Sequence, residues 1–447
     1  MDDHRQRHLI TALARHLAAR RPAMVELLAQ LVNRDSPSDH KGLLDGMASF
    51  LEAELGRRGG QVQRLRQAGA GDHLVARFFP GGDAQRAVLL LAHYDTVWPP
   101  GEAARRPFRQ EGGRGYGPGS LDMKAGIVIG LEALSALAAL VAGEDAGWGP
   151  GEGGVRDPAG GPPALEPAPL MDPAATGTGA RPRPLAILPP VTFLLTSDEE
   201  TGSRTSRALI EDLARRHQAV LVLEPAAGGR LKTARKGVGD FRLVVEGREA
   251  HAGNDPGRGI SAVEELARQI LRLHALSDPG RGTTVNVGVV RGGLRPNVVA
   301  GRAEAEVDIR VATLEEARRV EDLFERWGPV NPEARVILQG GFDRPPMEFT
   351  PANQALFHRA QRVGSWLGMT VEGAAVGGAS DGNFTSALGI PTLDGLGATG
   401  DGAHALDEHV DLDELPRRAA LVAGLILDLG AVPFGPDAEP ASAGDRG

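Results

Sequence analysis

The 447-residue chain contains no cysteine. Disulfides, thiolate-held metal ions and a cysteine nucleophile are therefore excluded, and any metal ion must be held by histidine, aspartate and glutamate. The chain also lacks a basic block, since 49 lysines and arginines are mixed with 58 aspartates and glutamates for a formal net charge of −9. This balance argues against nucleic acid or an anionic membrane surface as a partner. We therefore expect a small soluble partner.

We expect no segment that targets the chain or anchors it in a membrane. The charged N-terminus "MDDHRQRHLI" leads into an amphipathic helical pattern rather than an apolar core, so it does not resemble a secretory signal. No uninterrupted apolar run approaches the ~20 residues that span a bilayer. We predict a cytoplasmic protein with no membrane partner.

The length of the chain favours two domains. Helical patterns alternate with short buried strands such as "AVLLLAHYD" and "PVTFLLTSDEE", which is typical of an α/β layered sheet. From Val238 the order becomes strand, helix, strand, strand, helix, strand, which predicts an α+β (ferredoxin-like) unit with an antiparallel sheet. We predict an α/β domain formed by 1–237 and 345–447, with the α+β domain inserted at 238–344.

Two segments have almost no hydrophobic periodicity. Residues 142–189 are rich in glycine, proline and alanine, and residues 435–447 read "GPDAEPASAGDRG". Such composition cannot bury enough apolar surface to offset the entropy of ordering. We predict a disordered insertion and a disordered tail.

Residues that can bind metal ions stand at strand ends or in the loops that follow. In an open α/β sheet these positions converge on a crevice outside the carboxyl ends of the strands. They are His93 and Asp95 in "HYD", Asp122 in "GSLDMKAG", Glu199 and Glu200 in "SDEE", Glu224 in "VLEP" and His404 in "GDGAHALDEH".

These residue types suit a pair of metal ions. Two divalent ions can share one carboxylate and take one imidazole and one further carboxylate each. A further carboxylate must remain unbound to the metals so that it can accept a proton. The doublet Glu199–Glu200 can supply one metal ligand and one proton acceptor, because neighbouring side chains point to opposite sides. Asp95 can fix the tautomer and orientation of His93. Imidazole and carboxylate ligands accept zinc, cobalt or manganese.

Six ordered motifs resemble one known family. The motifs are "HYDTV", "GSLDMKAG", "TSDEETGS", "LEP", "EAHAGNDPGRGISAVEEL" and "GGASDGNF…GAH". They resemble the two-zinc metallopeptidase and aminoacylase family, which includes glutamate carboxypeptidase, acetylornithine deacetylase and succinyl-diaminopimelate desuccinylase, and most of all its folate-hydrolysing glutamate carboxypeptidase branch. The resemblance implies a mixed-sheet zinc-peptidase catalytic domain, an inserted lid and dimerisation domain, and a homodimer.

The resemblance also implies the role of each site residue. One metal ion would be held by His93, Asp122 and Glu224, and the other by Asp122, Glu200 and His404. Glu199 would be the general base, supported by Asp95, and His251 in "EAHAG" would stabilise the oxyanion, often across the dimer. The remaining residues implied by the resemblance would bind the substrate. Asn297 in "RPNVVA" and Arg310 in "VDIR" would contact its carboxylate, for which a planar guanidinium is well suited. Gly377 and Gly378 would let the backbone approach the substrate closely.

Three functions remain open at this point. The leading hypothesis is metal-dependent hydrolysis of an amide next to a free carboxylate, as in a carboxypeptidase acting on a peptide. The second keeps the metals but removes the acyl group of an N-acyl amino acid. The third is a noncatalytic metal-binding or scaffold protein that retains the fold.

Overall fold

The computed structural model describes residues 3–142 and 188–434. The predicted tail at 435–447 lies outside the described residues. So does the predicted insertion at 142–189, apart from its border positions 142, 188 and 189.

Eleven helices and sixteen strands follow one another along the described residues. The helices are α1 (Asp3–Ala19), α2 (Arg21–Val32), α3 (Lys41–Arg57), α4 (Glu102–Arg105), α5 (Ala125–Ala142), α6 (Arg207–Ala214), α7 (Ala262–His274), α8 (Leu314–Glu325), α9 (Pro351–Trp366), α10 (Gly382–Ala387) and α11 (Glu414–Ala431). The strands are β1 (Gln61–Leu65), β2 (His73–Phe78), β3 (Val88–His93), β4 (Arg109–Glu111), β5 (Arg114–Tyr116), β6 (Val191–Thr196), β7 (Ala219–Val222), β8 (Leu231–Arg235), β9 (Gly237–Glu246), β10 (Thr284–Gly292), β11 (Arg302–Val311), β12 (Arg335–Arg344), β13 (Gly373–Val376), β14 (Thr392–Leu393), β15 (Gly400–Asp401) and β16 (His409–Asp411).

A six-stranded mixed sheet forms the centre of the larger unit, in the order β1-β2-β6-β3-β7-β14. Strand β3 runs parallel to β6 and β7, whereas β2 runs antiparallel to both of its neighbours, β1 and β6. Successive residues of β3 enter different cores, because side chains alternate across a strand: Leu90 packs into one hydrophobic cluster, and Leu89 and Leu91 into the other. Helices therefore cover both faces, and the mixed-sheet prediction is confirmed.

Helix α5 lies in the larger core. A Cβ at Gly126 would stand 2.1 Å from the carbonyl oxygen of Leu223, so only glycine permits this approach. The helical segment Ser120–Ala142 has the length and hydropathy of a membrane span, yet 67% of its most apolar window is buried inside the molecule. A core helix of a soluble protein has the same properties.

A second sheet, in the order β10-β11-β9-β12, is antiparallel throughout. Helices α7 and α8 pack on it and share a separate hydrophobic cluster with it. Both helices begin at a capping residue, because Ser261 accepts a hydrogen bond from Glu264 N and Thr313 from Glu316 N. The α+β order is confirmed, whereas the exact domain borders next to Val238 and Arg344 stay a prediction.

Candidate active site

His93 ends strand β3, and Asp95 anchors its ring. The ring Nδ1 lies 3.1 Å from the carbonyl oxygen and 3.3 Å from Oδ1 of Asp95. The carboxylate of Asp95 also accepts hydrogen bonds from the backbone N–H groups of Glu199 (3.3 Å) and Glu200 (3.2 Å) and from Ser38 Oγ (2.8 Å). These contacts assign the proton to Nδ1, which leaves the lone pair on Nε2.

The first group of metal-ligand atoms surrounds this lone pair. Nε2 of His93 is 3.3 Å from Asp122 Oδ1 and 3.3 Å from Glu224 Oε1. Oδ1 of Asp122 is buried and receives no hydrogen bond. A cation bound between these three atoms would satisfy the unpaired oxygen of Asp122.

The second group lies on the other oxygen of the same aspartate. Nε2 of His404 is 3.4 Å from Asp122 Oδ2 and 3.2 Å from Glu200 Oε1. In each group the three ligand atoms all lie within 4.8 Å of one another. The structure thus brings the five metal-ligand candidates together around one shared carboxylate.

The charges of these side chains depend on one another. Burial opposes protonation of His93, but the adjacent carboxylates of Asp122, Asp95 and Glu224 raise its pKa well above the ordinary value. Hydrogen bonds to Asp122 and Glu200 raise the pKa of the half-exposed His404 to about 10. Against burial, the two histidines lower the pKa of Asp122. The pocket therefore attracts positive charge, as a metal site must.

Glu199 belongs to neither group and pairs with Arg344. Nη1 of Arg344 donates to Glu199 Oε1 (2.7 Å), and Nη2 donates to the Glu199 carbonyl (2.9 Å) and to Ser203 Oγ (2.8 Å). The same guanidinium lies 3.4 Å from Asp381 Oδ1. Burial raises the pKa of Glu199 well above its ordinary value, although Arg344 opposes the shift. A carboxylate with a raised pKa is a suitable proton acceptor.

Arg235 holds Glu224 from behind. Its Nη2 donates to Glu224 Oε2 (3.1 Å), and its Nε donates to Asp394 Oδ2 (2.8 Å). Its Nη1 lies 3.2 Å from the carbonyl oxygens of both Gly378 and Ala379. One buried side chain therefore supports a metal-ligand candidate and the predicted substrate loop.

Sequence reasoning missed Arg235, Arg344 and also Glu408. Glu408 is buried and accepts hydrogen bonds from the backbone of the Asp122 loop. It stands four residues after His404 in "GAHALDEH", and that proximity was the only available signal. Arg344 is the last residue of strand β12, before "PP", where nothing local indicates a contact with Glu199.

A cleft of about 710 Å³ opens beside Glu199, Glu200 and His404. The antiparallel sheet forms its other wall, from which Arg310 projects. Nε and Nη2 of Arg310 donate to Asp308 (3.0 and 3.2 Å), and Nη1 donates to the Gly377 carbonyl (3.0 Å). Two of its five N–H groups remain for another acceptor.

His251 and Asn297 lie elsewhere on the antiparallel unit. The two are neighbours, since Ala252 N donates to the Asn297 carbonyl (3.0 Å). Neither lines the cleft, and residues next to them, Pro296 and Val298 among them, line a different hollow. Within one chain the structure therefore does not bring His251 and Asn297 to Arg310.

Two ligand groups with a shared carboxylate, set at strand ends beside a cleft walled by a separate sheet, define a two-domain metallohydrolase. Residues 89–144 match the model of peptidase family M20/M25/M40, and residues 233–328 match the peptidase dimerisation domain. Both units of the chain are thus similar to domains of this peptidase family. The noncatalytic alternative is accordingly not supported.

Known proteins resemble the chain over most of its length. Carboxypeptidase G2 of Pseudomonas sp. (strain RS-16) is 29% identical over 423 residues, which cover 92% of this chain and 90% of that protein. Succinyl-diaminopimelate desuccinylase of Wolinella succinogenes is 23% identical over 413 residues, covering 88% and 96%.

Solved structures share the fold. Aminopeptidase PepT of Bacillus cereus matches with a TM-score of 0.71 at 21% identity, covering 92% of this chain and 98% of that one. Bacillus subtilis YxeP, a dinuclear metal binding peptidase, matches with a TM-score of 0.61 at 14% identity, covering 92% and 98%.

Proposed function

We propose that the protein hydrolyses an amide bond next to a free carboxylate, as a carboxypeptidase does when it releases a C-terminal amino acid such as glutamate. The pair of ligand groups that shares Asp122 carries this proposal. The similarity to carboxypeptidase G2 over most of both chains supports the substrate class. A cytoplasmic location remains part of the proposal.

Two divalent ions, most simply Zn2+, fit the residues present. His93, Asp122 and Glu224 would hold one ion, and Asp122, Glu200 and His404 would hold the other. The buried Asp122 Oδ1 without a donor supports this fit, as does the absence of softer ligands in a chain with no cysteine. When bound, the ions polarise the scissile carbonyl and lower the pKa of the attacking water.

The side chains of the cleft perform the remaining steps. Glu199 would accept the proton of the attacking water and return it to the leaving amine, while Arg344 keeps its carboxylate in place. Arg310 would bind the substrate carboxylate with its two unused N–H groups. A Cβ at Gly377 or Gly378 would meet nothing within 4 Å, so the loop leaves room for a bound substrate.

A homodimer would supply what one chain lacks. Strand β10 pairs only with β11 among the described strands, so its other edge is open. Exposed apolar side chains lie on and near that edge, with Val290 54% and Leu294 83% exposed. A partner chain docked there would bring His251 and Asn297 toward a cleft from which their own chain keeps them apart.

Metal content and turnover test the site. The purified protein should bind about two divalent ions per chain, measured by elemental analysis and by zinc or cobalt titration. Glu199→Gln should still bind both ions but lose several orders of magnitude in kcat, whereas Glu200→Gln should bind one of the two ions more weakly. Saturation at one ion per chain with full activity would contradict the shared-carboxylate site. If the two variants showed each other's phenotype, the roles assigned to Glu199 and Glu200 would have to be exchanged.

A substrate panel separates the two enzymatic hypotheses, because similarity to a desuccinylase supports the deacylase alternative. Dipeptides ending in glutamate and N-acyl glutamates should be tested, each beside its C-terminal carboxamide. Arg310→Met should raise KM for the free acids and leave KM for the carboxamides unchanged. Hydrolysis confined to N-acyl amino acids, with peptides untouched, would favour the deacylase.

The dimer is tested by mixing two inactive variants. His251→Ala and Glu199→Gln chains, once exchanged into heterodimers, should regenerate one intact site if His251 acts across the dimer. Activity no higher than that of either parent, with subunit exchange verified, would place His251 in its own chain's site.

A further inference from the structure

The carboxylate of Glu408 is buried among hydrogen-bond donors. The residue is 1% exposed. Oε1 accepts from Leu121 N (2.9 Å) and Asp122 N (3.0 Å), and Oε2 accepts from Gly119 N (2.8 Å) and Trp98 Nε1 (3.0 Å). All four partners can only donate, so the ionised carboxylate satisfies every one of them.

The same residue ties two loops together through its backbone. Its carbonyl oxygen accepts from Gly117 N (3.3 Å) and Ser120 Oγ (3.4 Å). Gly117 and Ser120 precede Asp122, whereas Glu408 itself follows His404 by four residues. Glu408 thus joins the loop of the shared aspartate to the loop of the second histidine.

We propose that Glu408 is a positioning residue that sets the distance between Asp122 and His404 and thereby the affinity of the second metal site. The inference rests on the proposed two-metal function. The first site has independent supports, since Asp95 holds His93 and Arg235 holds Glu224. His404 is half exposed, and apart from its contacts with Asp122 and Glu200 its position depends on its loop.

Glutamine at this position cannot replace the carboxylate. Its NH2 group would face two N–H donors, so one pair of hydrogen bonds is lost wherever the amide turns. The Asp122 loop would then shift relative to His404. Loss of a residue that supports metal ligands typically weakens metal affinity about 10- to 100-fold.

The experiment is a zinc titration of the chelated full-length protein, with Glu408→Gln compared with Glu414→Gln. Glu414 lies at the start of α11 and pairs with Arg417 on the surface, so it is a matched control. Glu408→Gln should weaken one of the two zinc sites about 10- to 100-fold and leave the other within a few-fold. The cobalt-loaded variant should also show an altered absorption spectrum, which a purely structural role would not predict.

Trp98→Phe keeps the test valid if Glu408→Gln does not fold, because it removes one donor and retains an aromatic ring. It should weaken the same site by a smaller factor. Two unchanged zinc affinities and an unchanged cobalt spectrum in a folded variant would overturn the inference. If the wild-type protein itself fails to bind two ions, the proposed function fails instead, which distinguishes the two outcomes.

Discussion

Replacing Arg344 by methionine should destabilise the protein by about 3–5 kcal/mol, the cost of breaking a buried ion pair by removing one partner. The guanidinium lies between Glu199 and Asp381, and the side chains of Arg344, Glu199 and Asp381 are only 9%, 12% and 4% exposed. Methionine can fill much of the space of the stem, so the loss is mainly electrostatic. The variant leaves two buried carboxylates without their shared cation.

Lost hydrogen bonds contribute to the same cost. Arg344 donates to the Glu199 carboxylate, the Glu199 carbonyl and Ser203. Hydrogen bonds contribute roughly 1 kcal/mol each, and those to charged groups somewhat more. Because the donor is charged, the sum of the three reaches the predicted range, so the size of the loss alone does not separate lost hydrogen bonds from unpaired charge. Adding Asp381→Asn to the methionine variant should recover part of the stability, because one of the two charges is then gone.

Urea unfolding of the chelated proteins at neutral pH measures the effect. Arg207→Met is the matched control, since the guanidinium of Arg207 also lies over the ring of Phe384, at 4.7 Å against 5.1 Å for Arg344. Arg207 is 47% exposed and pairs with the surface residue Glu211, so we expect a change within about 0.5 kcal/mol. A loss below about 1 kcal/mol for Arg344→Met, or one equal to the control, would refute the reasoning that rests on buried charge.

Two further predictions concern the stability of the fold. Burial raises the pKa of Asp72, but hydrogen bonds from Gln67 N and two cationic side chains outweigh this and lower it from 3.8 to about 2. Its contribution of about 2 kcal/mol is therefore present above pH ~4 and lost as the pH falls towards ~2. Asp72→Asn should cost that amount in urea unfolding at pH 7, and a deficit that does not narrow below pH ~4 would contradict this account. Gly126→Ala should destabilise by roughly 1–3 kcal/mol because the new Cβ meets the Leu223 carbonyl, whereas Gly46→Ala, with nothing within 4 Å, should stabilise helix α3 by roughly 0.5–1 kcal/mol. Thermal unfolding of the two alanine variants checks the opposite signs, and equal shifts would show that helix propensity alone decides.

The repeating patterns of the sequence contained most of the fold. Period-two alternation in "DFRLVVEG" predicts a strand with one buried face, and the structure buries Phe241, Leu243 and Val245 in the small core. Strand-end positions also predicted which acidic and imidazole side chains converge, because parallel strands end at the same edge of a sheet. His93 and Glu224 meet at 3.3 Å although 131 positions separate them.

Apart from Asp95, which the sequence placed beside His93, tertiary structure alone decided which groups support those side chains. Arg344 contacts Glu199 across 145 positions and Glu408 contacts Asp122 across 286, and neither pair belongs to a repeating pattern. Likewise, the separation of His251 and Asn297 from Arg310 depends on where the folded antiparallel unit places each of these residues. Hydrophobic periodicity acts between near neighbours and therefore determines elements, whereas a buried charge is satisfied by whichever donor or acceptor the packed elements bring to it.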